Sequence, residues 1–300
     1  MKMATYYHGA TRRRSYFEGW YLKHQTQSGR ALSLIPALHI DAEGRRTASL
    51  QVITENACWW LEYPELLAEE RRFRIQLGEN LFDSEGVRLQ IRQQELTLTG
   101  SLSYGRFTPL RSDIMGPFRL LGGMECAHGV ISMGHSLHGT LVLNGEMLDF
   151  SQGTGYIETD RGRSFPSTYL WAQSIWQDSG TSLMLAVAAI PMGIGGFTGC
   201  ICVLCHDGRE YRLATYRGVR IERWSSSGAM LRQGRYRLAV DVLEGKGHPL
   251  RAPVQGEMSR TIHESLGTVL RVRFWIGKEL VLDHTDHHAG FEYAVTASKD

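Results

Sequence analysis

The chain is short of most features that would mark a linker-built, fibrous or surface-binding protein. Proline accounts for only 8 of its 300 residues, and no stretch rich in proline and serine tethers one part to another. Basic and acidic residues nearly cancel, 33 against 31. Without a cationic surplus to neutralise phosphates, the balance argues against a dedicated nucleic-acid binder. Cysteine is scarce and odd in number, at 5, and three fall in C-I-C-V-L-C, where Cys200 and Cys202 would share one face of a strand and Cys205 the other. No turn gathers these thiols round zinc, so they read as small buried hydrophobes in a reducing compartment.

Targeting signals are also missing. The N-terminus, M-K-M-A-T-Y-Y-H-G-A-T-R-R-R, carries charge but no apolar core and no small-residue cleavage site, which points to a cytoplasmic location. From Thr181 to Cys205 no residue is charged, and a run of that length would cross a bilayer as a helix. Pro191, Gly193, Gly195, Gly196 and Gly199 break it, so it reads as two buried strands joined by a loop.

What the chain does have is a globular composition, 42% hydrophobic and 21% charged, and a period of two. Phe73, Ile75 and Leu77 alternate with Arg72, Arg74 and Gln76, and Val87, Leu89 and Ile91 with Arg88, Gln90 and Arg92. The second half continues with Tyr236, Leu238, Val240 and Val242, then Leu270, Val272, Phe274 and Ile276 before a turn at Gly277. Asn144-Gly145 between two apolar runs is a tight-hairpin signal, whereas Trp59-Trp60 is read as a short helix or irregular loop. Strands of this kind hide their edges by closing on themselves. The expected fold is therefore all-β, with two antiparallel barrels or sandwiches packed together. The expected domains are residues 1–152 and 153–300, dividing where S-Q-G-T-G, Ser151 to Gly155, interrupts the alternation.

Two segments combine carboxylates with aromatics. In Y-F-E-G-W-Y-L-K, Tyr16 to Lys23, the carboxyl group of Glu18 stands among aromatic rings next to Gly19. Such an acid either acts near neutral pH because desolvation raises its pKa, or belongs to a first barrel strand plugged by Trp20. In G-T-G-Y-I-E-T-D-R-G-R-S-F-P-S-T-Y-L-W-A-Q, Gly153 to Gln173, Tyr156 and Glu158 share one face of an extended segment and Asp160 follows them. Arg161 and Arg163 are near enough in sequence to pair with these acids. Trp171 and Gln173 alternate onto one face as well, to line a pocket or pack a core.

Together these two segments resemble the tocopherol cyclase family, whose pattern has F-E-G-W-Y/F near the N-terminus and a central G-Y-x-E followed by F-P and an aromatic-W-x-Q. A-G-F-E, Ala289 to Glu292, is similar to the family's closing segment. The motifs reach from Tyr16 to Glu292. Where the plant-like pattern has a tryptophan-glycine pair before F-P, this chain has Arg161-Gly162-Arg163, a departure that bears on substrate identity. The resemblance implies tandem lipocalin-like barrels, an apolar prenyl-quinol or isoprenoid ligand and acid-initiated closure of a chroman ring, with no metal or organic cofactor. Glu18 or Glu158 would supply the proton, and Tyr16, Trp20, Tyr156 and Trp171 would provide faces for a cation; Asp160 is a further catalytic candidate, an acid or a salt-bridge partner of the nearby arginines.

The remaining polar clusters carry weaker signals. His128, His135 and His138 match no zinc-protease spacing; His128 is a candidate proton acceptor or a hydrogen-bonded structural residue. D-H-T-D-H-H, Asp283 to His288, reads as a solvated turn between strands rather than a metal site. Arg12 to Arg14 would suit an anionic headgroup at a membrane surface, or be simply solvated. The alternative to an enzyme is a carrier that sequesters an apolar ligand unchanged, and a third reading is an isoprenoid hydratase. Oligomeric state is not legible.

Overall fold

In a computed structural model of the chain, residues 5–120, 124–176, 180–191, 195–245 and 248–295 are described, with the backbone alone at 248–249 and 261–265. Residues 1–4 and Gly193 lie outside that range. The first half forms β1 (Tyr16–Gln25), β2 (Ala31–Ile40), β3 (Arg46–Thr54), β4 (Cys58–Tyr63), β5 (Leu67–Ala68), β6 (Arg74–Leu77), β7 (Asn80–Asp83), β8 (Gly86–Arg92), β9 (Thr97–Tyr104), β10 (Cys126–Leu143), β11 (Glu146–Asp149) and β12 (Gly153–Gly162). The second half forms β13 (Thr168–Trp176), β14 (Thr181–Pro191), β15 (Gly196–His206), β16 (Arg209–Ala214), β17 (Arg220–Ser225), β18 (Gly228–Gln233), β19 (Tyr236–Glu244), β20 (His248–Val254), β21 (Glu257–Ile276) and β22 (Glu279–Val295). Among the described residues there is no α-helix, only short 3₁₀ turns.

Period-two patterning produces two antiparallel sheets. One runs β4-β3-β2-β1-β12-β10-β9-β8-β7-β6-β5, with β11 on β10; the other runs β16-β15-β14-β13-β22-β21-β19-β18-β17, with β20 on β21. Each curls round its own core. Trp20, Leu22, Leu34, Leu50, Phe82, Leu141 and Ile157 fill the first; Leu170, Ala172, Leu185, Cys202, Leu238 and Phe274 fill the second. Burying a large side chain of this kind is worth roughly 1.5–3 kcal/mol, so cores on this scale carry both sheets.

The expected hairpin at Asn144-Gly145 joins β10 to β11, with φ of 49° and 86°, and Gly277 turns β21 into β22 at φ 66°. The uncharged stretch forms β14 and β15, paired from Ser182↔Cys205 to Pro191↔Gly196, and no described helix is long and apolar enough to cross a membrane. Two local expectations are corrected. Trp59-Trp60 lies inside β4, because Val52 and Gln51 of β3 pair with it residue for residue. D-H-T-D-H-H lies inside β22 rather than in a turn, and Asp286 is buried, accepting hydrogen bonds from Ser174 Oγ and, at 2.8 Å, from the His288 amide.

The compact units are not the two contiguous halves. Unit 1 comprises Met1–Pro109, Cys126–Ser164 and Arg251–Arg260; unit 2 comprises Leu110–Glu125, Phe165–Leu250 and Thr261–Asp300. β12 belongs to unit 1 because β1 and β10 both bond to it. The tip of the β20–β21 hairpin belongs there too: the Arg251 amide donates to Gln51 Oε1 at 3.0 Å and Gln51 Nε2 donates to the Arg251 carbonyl at 3.2 Å. In unit 2, buried Arg212 fixes the segment after Leu110, donating to Ser112 O and Asp113 O at 2.8 Å each.

Unit 1 buries neutral histidines. Burial lowers His24 and His39 from the ordinary 6.5 to about 4, and burial, then His24, lowers His135 to about 3. The unfolded chain accepts protons near pH 6.5 that the folded chain refuses, so stability present above that pH is lost as pH falls towards about 4. Each histidine should cost about 2 kcal/mol by about pH 5. Urea unfolding across this range should lose stability steeply, and His39→Gln should reduce the slope by one proton; a flat profile would contradict neutral burial.

Candidate functional site

Strand alternation places Tyr156, Glu158 and Asp160 on the face of β12 opposite core residue Ile157. Tyr21 of β1 lies across from Glu158 and Lys23 across from Tyr156, while His128 of β10 lies across from Asp160. Tyr156 and Lys23 are wholly buried and Glu158 is 3% exposed. Gly155 precedes them because the His135 ring lies where a Cβ would stand.

These side chains form one continuous row. Tyr156 Oη donates to Glu158 Oε2 at 2.5 Å. His128 Nε2 is 3.3 Å from the same carboxylate oxygen, and its Nδ1 is 2.9 Å from Asp160 Oδ1. Cys126 Sγ also donates to Asp160 Oδ1, at 3.4 Å. Burial disfavours a charge on His128, but the Asp160 and Glu158 carboxylates outweigh it and hold its pKa well above the ordinary value. The two carboxylates therefore favour the protonated imidazole between them. Burial, then the neighbouring Glu158, pushes Tyr156 well above the usual phenol range, and burial, then Asp160, does the same to the Cys126 thiol. Both remain neutral donors. The row runs from a side chain that is 25% exposed, Asp160, to one that is 4% exposed, Glu158. Sequence proximity nominated Arg161 as the partner of these acids, but alternation turns it to the other face and His128 takes that position.

Glu18 occupies the opposite side of the same sheet, with Tyr16, Trp20 and Leu22 of the core face. It is fully buried, accepts from the His8 amide at 2.9 and 3.1 Å, lies 2.9 Å from His8 Nδ1 and accepts from Tyr16 Oη at 3.0 Å. Trp20 Nε1 donates to the Tyr6 carbonyl at 3.3 Å. Burial and then Glu18 push the Tyr16 phenol upward. Glu18 and Trp20 thus tie the segment around His8 to the barrel, and the two candidate acids do not share a face.

Trp171 and Gln173 belong to unit 2, on the face of β13 away from Leu170 and Ala172. Glu292 of β22 lies across from Trp171 and accepts from Tyr169 Oη at 2.7 Å. The closing A-G-F-E motif held the signal for Glu292, but its partner Tyr169 depends on β13–β22 pairing. Lys23, the last residue of the first motif, was likewise visible without its register.

Among the described residues, two groups have metal-ligand atoms within 4.8 Å of one another: His128, Glu158 and Asp160, and Asp41, Glu43 and Glu257. In the first, Asp160 already orients His128 through Nδ1, which leaves Nε2 and Glu158 as the inner pair. In the second, Asp41 is engaged by Arg45 at 2.9 Å.

No protein-family model matches the chain, and no curated protein does. Solved structures do. A protein of Nitrosomonas europaea described as AttH is 15% identical, with a TM-score of 0.51 over 94% of this chain and 91% of its own. Kievitone hydratase of Nectria haematococca is 10% identical, with a TM-score of 0.50 over 93% of this chain and 89% of its own. The likeness is one of fold. The chain is an all-β protein of two lipocalin-like sheets, as its motifs led us to expect.

Glu18→Gln should cost about 1–3 kcal/mol, because an amide cannot accept every hydrogen bond the carboxylate receives. Hydrogen exchange at the His8 amide should accelerate with it; unchanged protection and an unchanged melting temperature would show that Glu18 does not hold this segment.

Proposed function

We propose that the chain catalyses acid-initiated addition to a carbon–carbon double bond of an apolar, prenylated aromatic ligand, with Glu158 as the proton donor. The row Asp160–His128–Glu158–Tyr156 carries this reading. A trisubstituted alkene is a weak base, so protonating it takes a carboxylic acid kept from water. His128 stores a proton 3.3 Å from Glu158 Oε2. Passing it to Glu158 turns an ion pair into two neutral groups, a transfer over the short distance between them that is completed as the alkene takes the proton from Glu158.

Glu158 then gives the proton to the alkene. The π electrons form the new C–H bond, leaving a tertiary carbocation for the aromatic faces of Tyr21 and Tyr156 to stabilise. In ring closure the ligand's own phenol oxygen forms the C–O bond, its proton returns to the Glu158 carboxylate, and no atom is gained or lost. In hydration, water takes the place of the phenol and the product gains one water. The tocopherol cyclase motifs support ring closure; the fold likeness to a hydratase supports the second course.

Purified protein incubated with prenyl quinols should yield a product of unchanged mass and altered retention, or one heavier by one water. Glu158→Gln should lower turnover by about 10²- to 10⁴-fold while leaving the fold intact. Inertness of the wild type, with cell-derived lipid recovered unaltered from the protein, would indicate a carrier; full activity of Glu158→Gln would remove Glu158 as the donor.

A further inference from the structure

Gly19 is the one residue of β1 that is not buried, and Ile35 is the one residue of β2. On the face of the sheet that carries Glu158 and Asp160, their neighbours Phe17, Tyr21, Ala37 and His39 are each 8% exposed or less, so this face is closed to water around Gly19. Gly19 lies directly across from Asp160, whose side chain is 25% exposed, and Glu158 stands two residues further along the same strand.

A glycine in the middle of a strand weakens it, and it is found where a bulge, a closely packed backbone or a ligand calls for it. No bulge is present, because Phe17 to Gln25 pair with Gly162 to Thr154 without a shift of register. Packing does not call for it either. A Cβ at Gly19 would have Ala37 Cβ at 3.4 Å, the Pro36 carbonyl oxygen at 3.8 Å and Ile35 Cγ2 at 3.9 Å as its nearest neighbours, all ordinary contacts, and its φ is not positive. Gly153 differs, since a Cβ there would stand 2.5 Å from the Gln25 carbonyl oxygen. Of the three causes, a ligand remains for Gly19.

We propose that Gly19 is a specificity-determining residue: the gap over it, bounded by Ala37 and Ile35, takes the apolar chain of the ligand and lays its double bond beside Glu158. Diagonal neighbours across an antiparallel pair are about 7–8 Å apart, and Gly19 and Glu158 are such neighbours, so a chain crossing β1 there runs past the acid. The inference rests on the reading of the ligand as prenylated and adds the residue that sets how thick a chain the site admits.

The test is binding of 2-geranylphenol to the full chain, measured by calorimetry. Gly19→Ala should leave the melting temperature unchanged or higher, because the added methyl meets only ordinary contacts; loss of the fold would make the glycine structural and overturn the proposal. Gly19→Val should weaken binding about tenfold or more, the worth of roughly two buried methylenes, and Ile35→Ala added to it should restore most of that loss by reopening the gap. Should Gly19→Val fail to fold, Gly19→Ala decides, with about fourfold weaker binding expected for one methylene and unchanged binding overturning the proposal. Equal binding by the wild type and Gly19→Val, a loss that Ile35→Ala does not relieve, or no binding by the wild type would also overturn it. The reaction is read separately: a ligand bound by the wild type, shut out by Gly19→Val and recovered unaltered would refute acid catalysis and leave this assignment standing.

Discussion

Strand β12 is hydrogen-bonded on both sides, to β1 and to β10, and the arrangement of unit 1 depends on that double pairing. It fixes which residues alternate inward. Ile157 packs into the core while Tyr156, Glu158 and Asp160 take the other face, and a one-residue slip would exchange the two sets. The same pairing brings His128 across from Asp160, so the site's charges are set by backbone register before any side chain is placed.

Four buried histidines in unit 1 show which electrostatic effect wins. Desolvation lowers the proton affinity of all four, and for His24, His39 and His135 it prevails. Only His128 has two carboxylates, at 2.9 and 3.3 Å, and there the attraction exceeds the desolvation cost. Neutral histidines suit the packed interior. A histidine whose proton affinity is raised beside a nearly buried glutamate is what the proposed proton donation requires. Tyr156 and Cys126, kept neutral by the same surroundings, donate to the carboxylates without competing to lose a proton.

Much of this was legible in the sequence because strands report themselves through alternation. The meander, the Asn144-Gly145 and Gly277 hairpins and the common face of Tyr156, Glu158 and Asp160 all follow from a period of two. Trp59-Trp60 escapes the strand pattern because the L-E-Y-P-E-L-L-A-E-E after it breaks the alternation, and D-H-T-D-H-H because its composition resembles a loop's, whereas the conformation of each is set by a partner strand, β3 and β21. The pairing of Glu158 with His128 spans 30 residues and a bulged strand, beyond the reach of local pattern. Exchanged segments such as Arg251–Arg260 are held by Gln51, 200 positions away, and have no signature in their own sequence.

The most direct test of this account is the protonation of His128, followed by NMR of the imidazole as pH is raised. The account predicts a ring that stays protonated well above about pH 6.5, the ordinary value, and that releases its proton at lower pH in Asp160→Asn, where one of the two holding charges is gone. A His128 that titrates at or below the ordinary value in the wild type, or is indifferent to Asp160→Asn, would contradict the stored proton and with it the chemistry assigned to Glu158.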